Sequence, residues 1–253
     1  LWLRDENLGF CRGCFVCIGQ GEENCPVRDS APAIEQKMRD ADGVIFASPV
    51  YGMNVSGLFK VFVDRFAYIF HRPRFFDKKA LLLTTTGAVG APDVLKYLRL
   101  TAQVWGFEVA GEAGLIVPIG KTPEYRQREN DEICRRAAAL FHAALVSPCR
   151  KGPGLNDVIV FHAQRGSFGE LREQAPVDYE YWKKQGWPSL ERVPTSKNRR
   201  PRTPPSDWRS STNRRAARHV APPLCGLPTS TVTFFSCPFS GDPLLPNGTC
   251  GSR

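Results

Sequence analysis

Short, unbroken apolar runs alternate along this chain with longer stretches of helical spacing. Gly43 to Ala47 (GVIFA) and Lys79 to Thr85 (KALLLTT) are apolar on consecutive positions, and Phe107 to Val117 is a third such region, broken by Gly111 and Gly114. Runs of this kind are strands buried on both faces. Between them the period changes. Ser30-Ala31-Pro32 precedes Ile34, Met38 and Ala41. Ser56 precedes Leu58, Val61, Phe62, Arg65, Phe66 and Ile69. Val94, Leu95, Leu98 and Val104 mark a helix from about Pro92 to Trp105, and a long helix runs from about Pro123 to Val146. Ser30 and Ser56 are candidate N-caps, proline suits a first turn, and Gly43 stops the first of these helices. Leu1 to Asp5 reads as the end of a strand.

Strand, helix, strand, helix, strand, helix is the order of an α/β protein, a doubly wound parallel sheet with right-handed crossovers. Ligands of such sheets bind beyond the C-terminal ends of the strands. Two loops leave those ends, Ser48 to Gly52 and Thr84 to Ala91, and both contain glycine.

Charge and proline set the C-terminal part aside. Of a net charge of +9, the stretch from Pro194 to Arg253 supplies nine Lys and Arg against two Asp, leaving about +2 for everything before it. The same stretch holds ten of the 21 prolines. Proline removes backbone donors, and little apolar surface is left to offset ordering, so 194–253 is expected to be a disordered basic tail after a folded domain over 1–193. The basicity therefore argues against a nucleic-acid-binding face on the folded part. No apolar run is long enough to span a bilayer. Nine cysteines in an enzyme-like chain indicate a reducing, cytoplasmic setting. Since the chain opens at Leu1, directly in an apparent strand, an N-terminal segment is expected to be missing.

The candidate chemistry is concentrated near the start. Cys11, Cys14, Cys17 and Cys25 are spaced C-x2-C-x2-C-x7-C, with Gly13, Gly19 and Gly21 to free the loop. Thiolates are soft ligands, and four close an iron–sulfur or zinc site. An iron–sulfur cluster, a structural zinc and a metal-free set of thiols all remain open. In Ser48-Pro49-Val50-Tyr51-Gly52, Pro49 turns the chain out of the sheet, Tyr51 offers a ring to stack, and Gly52 allows close approach to a flat ligand. An ordinary strand-to-loop turn with a packing tyrosine fits as well. Thr84, Thr85, Thr86 and Gly87 form a second candidate wall with hydroxyls and free amides, although β-propensity also explains the threonines. Cys134 reads as a small core residue, Asp64-Arg65 as an intrahelical surface pair, and Cys149, Cys225, Cys237 and Cys250 have no interpretable spacing. None of the four histidines is assigned to catalysis.

From Leu1 to about Trp187 the chain resembles the flavodoxin-like NAD(P)H-dependent FMN reductases, including the iron–sulfur flavoproteins. The resemblance is carried by Cys11-Arg12-Gly13-Cys14-Phe15-Val16-Cys17 with Cys25-Pro26, by Ala41 to Phe46, by Ser48-Pro49-Val50-Tyr51, by Val55-Ser56-Gly57, by Lys60 to Asp64-Arg65, and by Asp178-Tyr179 to Trp182 with Gly186-Trp187. It implies a flavodoxin-like fold that binds FMN at the two loops, takes a hydride from NAD(P)H, and passes electrons to a quinone, another small acceptor or a redox protein. A [4Fe–4S] cluster on the four cysteines follows for the iron–sulfur members. A flavin carries the hydride and electron chemistry itself, so no acid–base pair is required. The family also implies a first strand and a phosphate-binding loop that have no counterpart before Cys11. This chain alone is therefore expected to fold poorly or to bind FMN weakly. Dimers or tetramers are usual in such reductases, and the aromatic 153–187 stretch serves either an interface or burial on its own subunit. The alternatives are a flavodoxin-like electron carrier without turnover of its own, and a metal-binding interaction module with a basic tail.

Overall fold

The structure, a computed structural model, describes residues 1–147, 152, 154–168 and 172–185, and the backbone of 232–235. Its centre is β1 (Gly43–Pro49), in which all seven residues are buried. Alternate side chains of a strand face opposite sides. Val44 and Phe46 accordingly join one apolar cluster, and Ile45 joins the other. β2 (Lys79–Thr86) and β3 (Glu108–Ile116) follow in parallel register on one side of β1. Gly111 and Gly114 do not break β3 as expected. The strand is continuous, with one irregularity opposite Ala80/Leu81. A β-carbon on Gly111 would stand 3.2 Å from Leu81 Cδ1, so glycine there allows close packing.

The helices divide between the two faces. α1 (Val16–Gly19) is a single turn in the cysteine loop. α2 (Ala31–Asp40), α3 (Gly57–Arg65) and α4 (Ala91–Trp105) cover one face, burying Ile34, Met38, Phe59, Phe62, Val94, Leu98 and Trp105 against Phe46 and Leu82. α5 (Glu124–Val146) covers the other face with Ala137 and Phe141. Its Asn130 amide donates to the Ile116 carbonyl at 2.8 Å and accepts from the Ile116 N–H at 3.3 Å, extending the hydrogen bonding at the end of β3. Cys134 lies off the buried stripe of α5 and is exposed, not a core residue as expected. α6 (Leu155–Phe168) and α7 (Pro176–Lys184) close the described part, so the aromatic 153–187 stretch is helical where it is described; Gly186 and Trp187 lie outside.

Three local expectations change. Leu1 to Asp5 keeps strand character only at Trp2, an extended β-bridge residue: Leu3–Asp5 is a 3₁₀ turn with Leu3 buried in the core. The α3 pattern reaches only Arg65, after which Ala67–Phe70 tightens into a 3₁₀ turn. The expectation of a tail without regular structure fails at four residues. Val232–Phe235 is β4, parallel to Gly43–Phe46 on the free edge of β1, which gives the order β3-β2-β1-β4. The remainder of 194–253 lies outside the described residues. Among the described residues no helix is long and apolar enough to cross a membrane.

Phe46 meets Phe59, Trp105 and Phe107 edge-on at centroid distances of 5.3–6.3 Å, from the middle of the central strand. Phe46→Ala is expected to lower stability by about 3–5 kcal/mol. Urea unfolding would report this as a lower midpoint at an unchanged slope.

Candidate functional site

At the C-terminal end of β1 the chain makes a tight reversal. Tyr51 N–H donates to the Asn54 carbonyl at 2.8 Å, and Asn54 N–H returns the bond at 3.1 Å. Gly52 (φ 55) and Met53 (φ 65) between them are both left-handed, which is the requirement of a type I′ turn. The reversal projects Tyr51 and Met53 outward, each 54% exposed. Ser48, in contrast, is turned in: its Oγ accepts the Ser56 N–H at 2.9 Å and donates to the Pro49 carbonyl at 3.1 Å. Ser56 caps α3 as expected, accepting from Phe59 N–H at 3.2 Å.

The second loop leaves β2 beside the first, with Ser48 opposite Thr84 and Pro49 opposite Thr85. Val50 N–H donates to the Thr85 carbonyl at 2.8 Å. Two of the three threonine hydroxyls are committed within the protein. Thr84 donates to the Ser48 carbonyl at 2.8 Å, and Thr86 donates to the Val89 carbonyl while accepting from Ala88 N–H. The expectation that threonine hydroxyls line a ligand therefore narrows to Thr85. The loops touch at Gly90 (φ 91), where a β-carbon would lie 2.8 Å from Val50 Cγ1. Beside Gly52 and Gly87 no atom would meet an added β-carbon within 4 Å. The predicted residues thus gather into one two-loop rim at the sheet's C-terminal edge. It offers an exposed aromatic ring, backbone polar groups and open room over two glycines, which suits a flat ligand with a polar edge.

The four cysteines lie on the other feature, a loop closed at its base. Ser30 N–H and Oγ both reach the Asn7 carbonyl at 2.9 Å, and Asp29 accepts the Gly9 N–H at 2.9 Å and the Ala31 N–H at 3.1 Å. Asp29 therefore performs the capping at α2 that was expected of Ser30. Inside the loop Gly13 (φ 62), Phe15 (φ 58) and Gly21 (φ 100) take left-handed conformations. Cys11 and Cys14 are exposed, Cys17 and Cys25 are half-buried, and all four are free thiols. Burial pushes the Cys17 thiol above its ordinary value, and Cys11, Cys25 and Cys14 push it further while Arg72 opposes them, so the other three lie within electrostatic reach of Cys17. As soft donors they suit iron–sulfur or zinc chemistry. In this conformation, however, no three His, Cys, Asp or Glu side chains among the described residues stand close enough to hold a metal ion.

Two buried arginines back this loop; the sequence reading offered Arg65 only a surface pairing with Asp64 and assigned Arg72 no role. Arg65 does not pair with Asp64 on the surface; Asp64 takes Lys60 instead. Arg65 turns inward, donating from Nε and Nη2 to Asp29 at 2.7 and 2.9 Å, from Nη2 to the Val27 carbonyl at 3.1 Å, and from Nη1 to Cys25 Sγ at 3.3 Å. The signal was present: Arg65 falls on the apolar stripe of α3, where a charge must find a partner. Arg72 donates to the Cys17 carbonyl at 2.7 Å, to Glu22 at 2.8 Å and to Asp178 of α7. Arg74 joins Glu22 to Glu35, and Tyr68 donates to Glu35 at 2.5 Å. Burial and the adjacent Glu35 carboxylate drive the Tyr68 hydroxyl far above its ordinary value.

Residues 2–122 match the family described as NADPH-dependent FMN reductase. The chain is 27% identical over 187 residues to an iron–sulfur flavoprotein of Archaeoglobus fulgidus, covering 73% of this chain and 82% of that one. It is 30% identical over 122 residues to an iron–sulfur flavoprotein of Clostridioides difficile, covering 48% of this chain and 53% of the relative. Among solved structures, RosB with a bound 8-demethyl-8-formylriboflavin-5′-phosphate intermediate overlaps 88% of this chain and 82% of its own, at 15% identity and a TM-score of 0.42. At that overlap no detail of its site transfers to this chain.

The Asp29–Arg65 pair, with side chains 2% and 6% exposed, sets a pH dependence. Burial alone would raise the Asp29 carboxyl, but hydrogen bonds from Arg65, Ala31 N–H and Gly9 N–H, with the Arg65 charge, hold it below its ordinary 3.8. A depressed folded value contributes stability that is fully present above the unfolded value and lost as pH falls through the folded one. Asp29→Asn is expected to be less stable than the parent by about 3 kcal/mol at neutral pH. That gap should shrink as urea unfolding is repeated downward from pH 4. A gap of constant size would mean that Asp29 titrates alike in both states.

Proposed function

We propose, from the match of residues 2–122 to the NADPH-dependent FMN reductase family, that the protein is an FMN-dependent oxidoreductase. It takes a hydride from NAD(P)H and passes electrons to a quinone, another small acceptor or a redox protein. The observation that carries this reading is the two-loop rim, Ser48 to Gly52 against Thr84 to Gly87, joined at Gly90 beyond adjacent parallel strands. Bound FMN would supply the hydride and electron chemistry. The protein's part is to hold and orient it. Backbone groups of Val50 to Gly52 and of Thr85 to Gly87 would meet its polar edge, and Tyr51 would cover the ring. Outward-facing Tyr51, Met53 and Val89 leave apolar surface beside the rim, which supports a dimer or tetramer whose second subunit covers the flavin. A cytoplasmic location accords with the free thiols.

A second reading is favoured by the cysteine loop and by the iron–sulfur flavoproteins the chain is similar to. On it, Cys11, Cys14, Cys17 and Cys25 hold a [4Fe–4S] cluster, and the protein hands electrons onward to a redox partner. The donor set fits in kind and number. The loop would need to draw its two exposed thiols inward.

An anaerobic visible spectrum with iron and sulfide assays separates the readings. Oxidised-flavin bands that bleach on adding NADPH or NADH support the reductase. Flavin that resists both nucleotides would reduce the protein to an electron carrier, and failure to bind added FMN would sink the proposal. About four iron per chain would establish the second centre. The rim itself is tested at Gly90. A left-handed φ and the Val50 contact make Gly90→Ala strained, so its FMN dissociation constant is expected to rise about 5–30-fold, the effect of roughly 1–2 kcal/mol. An unchanged constant would show that the two loops do not jointly hold the flavin.

A further inference from the structure

We propose that Arg65 is a positioning residue for the four-cysteine site: Nη1 supplies an N–H···S hydrogen bond to Cys25, while the rest of its guanidinium fixes the segment that carries that sulfur. The inference rests on the iron–sulfur reading above and deepens it. The argument starts from the cost of burial. A guanidinium only 6% exposed must be neutralised and have its donors satisfied. Asp29 takes two of those donors and the charge, and the Val27 carbonyl shares a third bond. Every one of these acceptors lies within four residues of Cys25, so the fork is bound to the loop on three sides and has little freedom to turn. Nη1 is left aimed at sulfur, at 3.3 Å.

Three consequences distinguish this from a fold-stabilising ion pair. The bond fixes Cys25, the member set apart by the longer spacing, relative to rigid α3. The same pair reaches the other end of the loop, because Asp29 also holds Gly9, two residues before Cys11. The order of the loop's two ends is therefore coupled through one carboxylate. Lastly, an N–H on a ligating sulfur favours the more negatively charged, reduced state of a cluster, since hydrogen bonds to sulfur are one of the levers on cluster potential. A lysine could retain the Asp29 pairing, but it lacks a planar fork able to serve carboxylate, carbonyl and sulfur together.

The test uses the full chain, reconstituted anaerobically with ferrous iron and sulfide. Arg65→Lys keeps the charge. The double variant Arg65→Met with Asp29→Asn removes both charges, so neither carboxylate nor cation is left buried alone. The readouts are iron per chain, the rate of iron loss to a chelator and the midpoint potential; none requires turnover. Thermal unfolding of the metal-free proteins confirms that each variant folds. Both variants are expected to fold, to lose iron at least about threefold faster than the parent, and to titrate at a lower potential. If folded variants retain iron and potential like the parent, Arg65 serves the fold alone and the proposal is overturned. If the parent itself takes up no iron, the four-cysteine reading fails, and this proposal falls with it.

Discussion

The buried pair between Asp29 and Arg65 is the constraint on which the candidate sites depend. One carboxylate accepts from Gly9, Ala31 and Arg65. It thereby closes the cysteine loop, starts α2 and docks the C-terminal end of α3. Closing a flexible loop of this length has an entropic cost that rises only slowly with its size, so a few well-satisfied bonds at the base suffice. Removing either partner would leave a lone buried charge, a loss of several kcal/mol. At its other end α3 begins at Ser56, whose N–H is held by the Ser48 hydroxyl on β1. The thiol loop and the two-loop rim are therefore tied to opposite ends of one nine-residue helix, roughly 13 Å long.

A second buried network ties α7 to the same loop. Arg72 and Arg74 face Glu22, Glu35 and Asp178, all within reach of the segment between Cys17 and Cys25. Asp178 is fully buried on α7, and Trp182 Nε1–H donates to the His71 carbonyl at 3.0 Å. Of the two roles left open for the aromatic stretch, Tyr181 and Trp182 take burial on their own subunit. Arg72 Nε is buried with no hydrogen-bond partner among the described residues. A guanidinium accepts this only because its other donors meet carboxylates and a carbonyl, whose strong charge-assisted bonds offset the loss. The Cys17 backbone is thus held by the same arginine that docks α7.

How far the sequence discloses this depends on whether the information is local. β1, β2 and α4 follow from apolar period and breakers, to within two residues of the expected bounds. The cysteine spacing and the two loops are visible because each is a short contiguous motif. Arg65 was legible only in part: its place on an apolar stripe demanded a partner, but Asp29 lies 36 residues earlier and nothing local links them. The Asp178–Arg72 contact spans 106 residues and has no signature in either helix. β4 was missed for a related reason. A four-residue strand amid prolines has no period to detect, and its pairing is set by the open edge of β1. Ser30 was misassigned because Asp29, one residue before it, competes for the same cap and wins through its tie to Arg65.

The threonines carry a different lesson about how the rim would recognise a ligand. A hydroxyl in a candidate site suggests a contact, yet Ser48, Thr84 and Thr86 spend theirs on neighbouring backbone. Those bonds fix where the two loops leave the sheet. What then faces outward is backbone held in a set shape, with left-handed Gly52 and Met53 at one loop tip and left-handed Gly90 pressed against Val50 at the other. On the proposed function, FMN is therefore met by conformation more than by side-chain identity. The residues that matter for holding it are then those that make the loops' shape affordable. Gly90 is foremost among them, because no other residue type combines that φ with that contact at comparable cost.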